Sequence, residues 1–167
     1  MVSWAASPPD GIEVPDAVIS RALHAALDHG GHTQRVVDVV FVDKRALASM
    51  HGQFLGDPSE TDVITFDLRT DGDPIPGDPE PGDSSGERAA PLEADGELYV
   101  SVDRALESSA ERGVSFEREL VLYVVHGALH LCGFDDHDPD ERAAMRAAER
   151  SVMGRLGYPE DLAPHDL

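Results

Sequence analysis

The sequence predicts an α+β domain in which helices pack on a small mixed β-sheet. Three observations carry that prediction. Three short runs rich in β-branched and aromatic residues, 36–42, 62–68 and 97–102, read as strands. Segments with apolar residues at helical spacing lie before, between and after them, most of them bounded by a capping residue or a glycine. The resulting order is helix, strand, helix, strand, strand and then three helices, and 167 residues suit one domain, 1–167, with its own core.

The elements follow in order. Segment 15–28 places Val18, Leu23, Ala26 and Leu27 on one helical face, with Pro15 suited to the first turn and Gly30-Gly31 to the stop. Trp4 precedes it in a stretch expected to be frayed. Residues 36–42, Val-Val-Asp-Val-Val-Phe-Val, read as a buried strand, after which Asp43 is the expected cap of a short helix to about Gln53. In 62–68, Val63, Thr65 and Asp67 alternate with Ile64, Phe66 and Leu68.

Segment 69–95 differs in kind. It holds five prolines, a Gly-Asp-Ser-Ser-Gly run and eight acids against two arginines. Such a composition buries too little apolar area to offset its ordering entropy, so it reads as a mobile acidic insertion between two strands. After the third strand, 97–102, Asp103 is expected to cap a helix to about Arg112, ended by Gly113. Ser115 then caps a strong helix with Glu117 and Glu119 in its first turn, running to Cys132 and closed by Gly133. A last amphipathic helix starts near Pro139 and ends around Leu156.

Composition narrows the function. Thirteen basic residues against 33 acidic ones give a net charge of −20, with Lys44 the only lysine. That argues against a broad basic groove for nucleic-acid backbones. The insertion contributes 2 − 8 = −6, so the rest of the chain stays at −14 and the acidity is general, as solubility or a salty cytoplasm would favour. A nucleic-acid role must then rest on a local arginine patch, a metal or a partner protein. The N-terminus has no basic start or long apolar run, and the apolar stretch 120–131 is too short to span a bilayer. A cytoplasmic protein without membrane contact is the expectation, and the single cysteine, Cys132, excludes an internal disulfide.

The chemistry concentrates in His126-Gly-Ala-Leu-His130-Leu-Cys-Gly133-Phe-Asp135-Asp136-His137. Histidines four apart lie one helical turn from each other, so both imidazoles can face one point. Gly133 permits the turn that returns the chain alongside the helix and brings Asp-Asp-His to the same place. Three nitrogen or oxygen ligands plus an open position make a catalytic zinc site. Zinc metalloproteases carry a glutamate base directly after the first histidine; here that residue is Gly127. Metal alone brings a bound water to a pKa near ~7 and stabilises negative charge on a phosphodiester, so water on the metal is the expected nucleophile, with no protein base assigned.

The same segment resembles the signature of the YbeY-type endoribonucleases. Phe54-Leu-Gly-Asp-Pro-Ser-Glu-Thr61-Asp62-Val-Ile-Thr65-Phe66 resembles a second block of that family, and Gly96-Glu-Leu-Tyr-Val-Ser101-Val-Asp103 a third. The resemblance spans about 35–157. It implies a metallohydrolase-like fold, a single Zn2+ near the histidine helix, and endonucleolytic cleavage of ribosomal RNA precursors in ribosome maturation and quality control. Two departures stand out. The family's third histidine falls on Asp136 here, with His137 one residue later, so either a carboxylate completes the site or a one-residue bulge brings His137 in; register favours Asp136. Leu55 stands where some members carry an arginine.

Other residues carry less. Arg118, at the start of the histidine helix, is a candidate phosphate contact, and Asp62 a candidate substrate-binding residue whose blander reading is a strand-entry turn. Arg142, Arg146 and Arg150 share a face of the last helix, where pairing in solvent with acids such as Glu141 and Glu149 is the simpler expectation. The leading reading is a metal-dependent endoribonuclease acting on single-stranded RNA, with ribosomal proteins as docking partners and the oligomeric state open. Its alternative is a ribosome-assembly or adaptor factor with a structural zinc.

Overall fold

A computed structural model describes residues 1–56, 61–69 and 94–158. The expected mobile insertion therefore lies outside the described residues except at its two ends. The elements are β1 (Val2–Trp4), α1 (Asp16–His29), β2 (Val37–Val42), α2 (Lys44–Leu55), β3 (Val63–Asp67), β4 (Gly96–Ser101), α3 (Val102–Arg112), α4 (Phe116–Leu131) and α5 (Pro139–Arg155). The strands form one mixed sheet in the order β1-β2-β4-β3, with β1, β2 and β4 parallel and β3 antiparallel to β4. The α+β expectation holds.

Strand alternation gives the sheet two apolar faces. Val37, Val39, Phe41, Leu98 and Val100 face the main core, where α4 crosses β3 and β4 and is flanked by α1, α3 and α5. Val40, Val42, Ile64, Phe66 and Tyr99 face the other way, onto Leu47 and Met50 of α2. Helix α4 is buried without interruption from Glu119 to Leu129, which explains why its sequence is apolar all round rather than along a stripe. Each fully buried Leu or Val there contributes about 1.5–3 kcal/mol. Among the described residues no helix is long and apolar enough to cross a membrane.

Two expectations need correction. The N-terminal stretch is not frayed: Val2–Trp4 pairs with β2, Trp4 stacks on Phe41 with ring centroids 4.0 Å apart, and its Nε1 donates to Asp16 at 2.8 Å. Three residues are too few to show a period, so the strand was invisible in the pattern. The cap of α3 is Ser101, whose hydroxyl accepts from Arg104 N at 3.2 Å. Asp103 instead accepts from Lys44 N at 2.8 Å, supplementing the first turn of α2, which Asp43 caps as expected.

One buried arginine ties the sheet to α4. Arg35, 5% exposed, donates to Asp67 at the end of β3, to the side chain and main chain of Asp95 before β4, and to Leu131 O in the last turn of α4 at 2.6 Å. Gly96 makes room for it, since a Cβ there would lie 3.2 Å from Arg35 Nη2 and 2.9 Å from Leu131. The guanidinium also clasps both roots of the acidic insertion, 69–95, through Asp67 and Asp95.

Candidate metal centre

His126 and His130 lie one turn apart near the C-terminal end of α4. The helix can sit close to the sheet because Gly127 has no side chain. A Cβ at that position would lie 3.0 Å from both Leu98 and Val63 and 3.3 Å from Thr65. The position at which a metalloprotease carries its base is thus a point of close helix–sheet approach. After Cys132, Gly133 adopts φ 89°, a conformation that favours glycine, and reverses the chain. Phe134 N then donates back to Leu129 O at 3.1 Å.

The reversal supplies the third group. Asp136 comes within 3.9 Å of His126 Nε2 and 4.0 Å of His130 Nε2. Its backbone is held by Asp135, whose carboxylate accepts from Asp136 N at 2.8 Å, and by Arg142, which donates to Asp136 O at 3.1 Å. His137 turns away: its side chain is 86% exposed and its Nε2 lies 3.4 Å from Asp135.

Both rings commit Nδ1 to the protein. His126 Nδ1 lies 2.7 Å from Glu149 Oε1, and His130 Nδ1 lies 3.0 Å from Phe134 O. A carbonyl only accepts, and so does an ionised carboxylate, so each Nδ1 carries a proton and each Nε2 is left to face the cluster. Those two nitrogens face each other at 3.0 Å. Burial, and then the neighbouring His126, push the His130 imidazolium below its usual pKa against the pull of Asp136, so the ring is neutral at neutral pH.

Two facing ring nitrogens and a carboxylate form a group suited to a cation. The ligand atoms of His126, His130 and Asp136 lie within 4.8 Å of one another. Ligand atoms around a tetrahedral zinc at ~2.0–2.1 Å are separated by ~3.3 Å, a spacing that the observed 3.0, 3.9 and 4.0 Å bracket.

The remaining candidates are elsewhere. Arg118 is two turns toward the other end of α4, ~12 Å along the axis from His126; its guanidinium lies 3.6 Å from Glu119. The sequence expectation of proximity took no account of helical rise. Asp62 precedes β3 and pairs with Arg104 at 2.9 Å, and its main-chain oxygen accepts from Ser101 N at 3.0 Å. Neither is brought to the histidines. Glu149 corrects another expectation: rather than lying on a solvated face of α5, it is buried at 3% exposure against His126. Its place in the stripe Met145, Ala148, Val152 and Met153 was the available signal, since an acid at core spacing needs a buried partner.

Fold and cluster together define an α+β protein with a His/Asp group able to hold a metal ion. The family model described as Endoribonuclease YbeY matches residues 12–157, and the chain belongs to that family. The match starts earlier than the span of about 35–157 read from the motifs. A protein named Endoribonuclease YbeY from Caldanaerobacter subterraneus subsp. tengcongensis is 38% identical over 143 residues, covering 85% of this chain and 87% of the relative. Another of that name, from Thermoanaerobacter sp., is 37% identical over 120 residues, covering 72% and 73%. A solution structure of a Thermotoga maritima protein shares the fold, with TM-score 0.52 and 21% identity over 94% of this chain and 92% of that one. The expected family is therefore borne out, and it is a family of hydrolases that cut RNA.

Proposed function

We propose that the protein is a zinc-dependent endoribonuclease that cuts single-stranded segments of ribosomal RNA precursors, in ribosome maturation and quality control, with His126, His130 and Asp136 holding the ion. The convergence of the two bare Nε2 atoms with the Asp136 carboxylate carries this reading. Zinc there would supply positive charge for a phosphodiester's developing negative oxygens and would acidify water. The chain's part is to hold the two rings aimed and to keep one side open: the side chains of His130 and Asp136 are 27% and 24% exposed. No protein base is assigned, because Gly127 offers none. With a net charge of −20, the chain reaches RNA best alongside basic ribosomal proteins in its cytoplasmic setting.

The acidity also favours a second reading, a ribosome-assembly factor whose zinc is structural. A structural zinc is closed by four protein ligands, whereas the group of His126, His130 and Asp136 supplies three, which supports catalysis; Asp136 also belongs to a second, more exposed group with Asp135 and His137. The test is zinc content and RNA cleavage measured together for wild type, His126→Ala, His130→Ala, Asp136→Ala and His137→Ala. The expected result is a single zinc in wild type and in His137→Ala, both cutting RNA, with zinc and cleavage lost in the other three. Wild type that holds zinc yet leaves RNA intact would favour the assembly factor. Wild type that takes up no zinc would end both readings.

A further inference from the structure

A carboxyl group on the apolar stripe of α5 is costly to bury, and Glu149 is buried there. Its Oε1 lies 2.7 Å from His126 Nδ1, with side-chain exposures of 4% and 7%. The contact joins α5 to α4 across 23 residues of sequence and lies behind the ring, on the side away from His130 and Asp136. His130 has a different arrangement, since its Nδ1 donates to a main-chain carbonyl four residues on, which no side-chain substitution removes. Of the two rings, only His126 has its Nδ1 held by a side chain.

We propose that Glu149 is a positioning residue: it holds His126 as the Nδ1–H tautomer and aims the bare Nε2 at His130 and Asp136. A ring free to carry its proton on Nε2 would place an N–H where a ligand atom is needed. A carboxylate on the far nitrogen also makes the ring a stronger electron donor, and loss of such a partner typically weakens metal binding ~10–100-fold. The effect on affinity rests on the reading of His126 as a zinc ligand; the tautomer does not.

Two measurements decide it. Nitrogen NMR of the imidazole rings in metal-free wild type is expected to show His126 protonated on Nδ1, and Glu149→Leu to shift it toward a mixture or toward Nε2–H. Zinc affinity, from competition with a chromogenic chelator, is expected to fall ~10–100-fold in Glu149→Leu and less in Glu149→Gln, which keeps an acceptor oxygen. Leucine suits the stripe, so a purely structural role for Glu149 predicts unchanged zinc affinity of the folded variant. An Nε2–H tautomer in wild type, or a Glu149→Leu affinity within about twofold of wild type, overturns the proposal. Should Glu149→Leu not fold, the wild-type tautomer and the Glu149→Gln affinity still decide. Wild type that takes up no zinc would sink the site reading, while the metal-free tautomer would still rule on Glu149.

Discussion

Helix α4 buries ionisable groups near both ends, and the two ends handle them in opposite ways. Toward the N-terminus, fully buried Glu119 meets the guanidinium of Arg112 from α3 and lies 3.6 Å from Arg118. One turn on, the Tyr123 hydroxyl donates to Ser108 at 2.8 Å. Burial, with Asp62 and Glu119 adding to it, pushes the Tyr123 phenol far above its usual pKa, so it stays neutral. Charge in that cluster is met by opposite charge from the protein itself. Toward the C-terminus, His126 and His130 are anchored through Nδ1, and their Nε2 atoms and Asp136 face one another. Three side chains of metal-ligand type whose ligand atoms converge within 4.8 Å, two of them anchored from behind, are arranged to receive a cation. Burial is common to both ends; acid joined to base at one, and metal-ligand types gathered at the other, separate a structural cluster from a binding one.

The largest expected effect tests the closed end. Glu119→Ala leaves Arg112 and Arg118, at 23% and 13% side-chain exposure, without their buried counter-charge. Removing one member of a buried ion pair costs about 3–5 kcal/mol, so the variant should unfold at much lower urea. Zinc content per folded molecule should not change. Loss of zinc from the folded variant would mean that the two ends are coupled and the contrast between them is false.

Legibility in the sequence followed the same division between local and distant. His126 and His130 were readable because one helical turn sets their relation, and a continuous apolar helix needs no partner to be recognised. The choice between Asp136 and His137 was not, because it depends on how far the chain rotates after Gly133, and one residue of register there exchanges an inward carboxylate for an outward imidazole. Glu149 and Arg35 were hidden for a simpler reason. Their partners lie 23 residues away in one case and 32, 60 and 96 in the other, and no periodicity spans such gaps.

The next effect concerns how the open end is held. Arg35→Met removes the donor to Leu131 O, beside His130, and the bridge between Asp67 and Asp95. Since both acids are partly exposed, the cost is set at about 2–3 kcal/mol, below that of a fully buried pair. The loss should depend on pH. Hydrogen bonds from Arg69, with further help from Arg35, hold the Asp67 carboxyl far below the usual carboxylate range despite partial burial. A lowered folded-state pKa stabilises above the unfolded value of ~4 and is lost progressively below it. The gap between wild type and Arg35→Met in urea unfolding should therefore be full at pH 7 and narrow from about pH 4 downward. It should not close, because the bond to Leu131 O does not titrate. A gap that widens in acid would show that Asp67 is not the group Arg35 supports.

The smallest effect lies within the open end, at Gly127. Alanine there gains up to about 1 kcal/mol of helix propensity. Its Cβ would press on Leu98 and Val63 at 3.0 Å, and overpacking a filled core costs about 1–3 kcal/mol. Leu98 is fully buried in the sheet, so the net expectation is a loss of about 1 kcal/mol, or about 2–4 °C in Tm for a chain of this size. The helix would relieve the contact by lifting from β3 and β4, carrying His126 with it relative to Glu149, so zinc affinity should weaken by a small factor while Glu119 keeps its pairing. A Gly127→Ala variant more stable than wild type would show that Leu98 and Val63 give way instead. The absence of a side chain after His126 would then be explained by the chemistry of the site rather than by the closeness of helix and sheet.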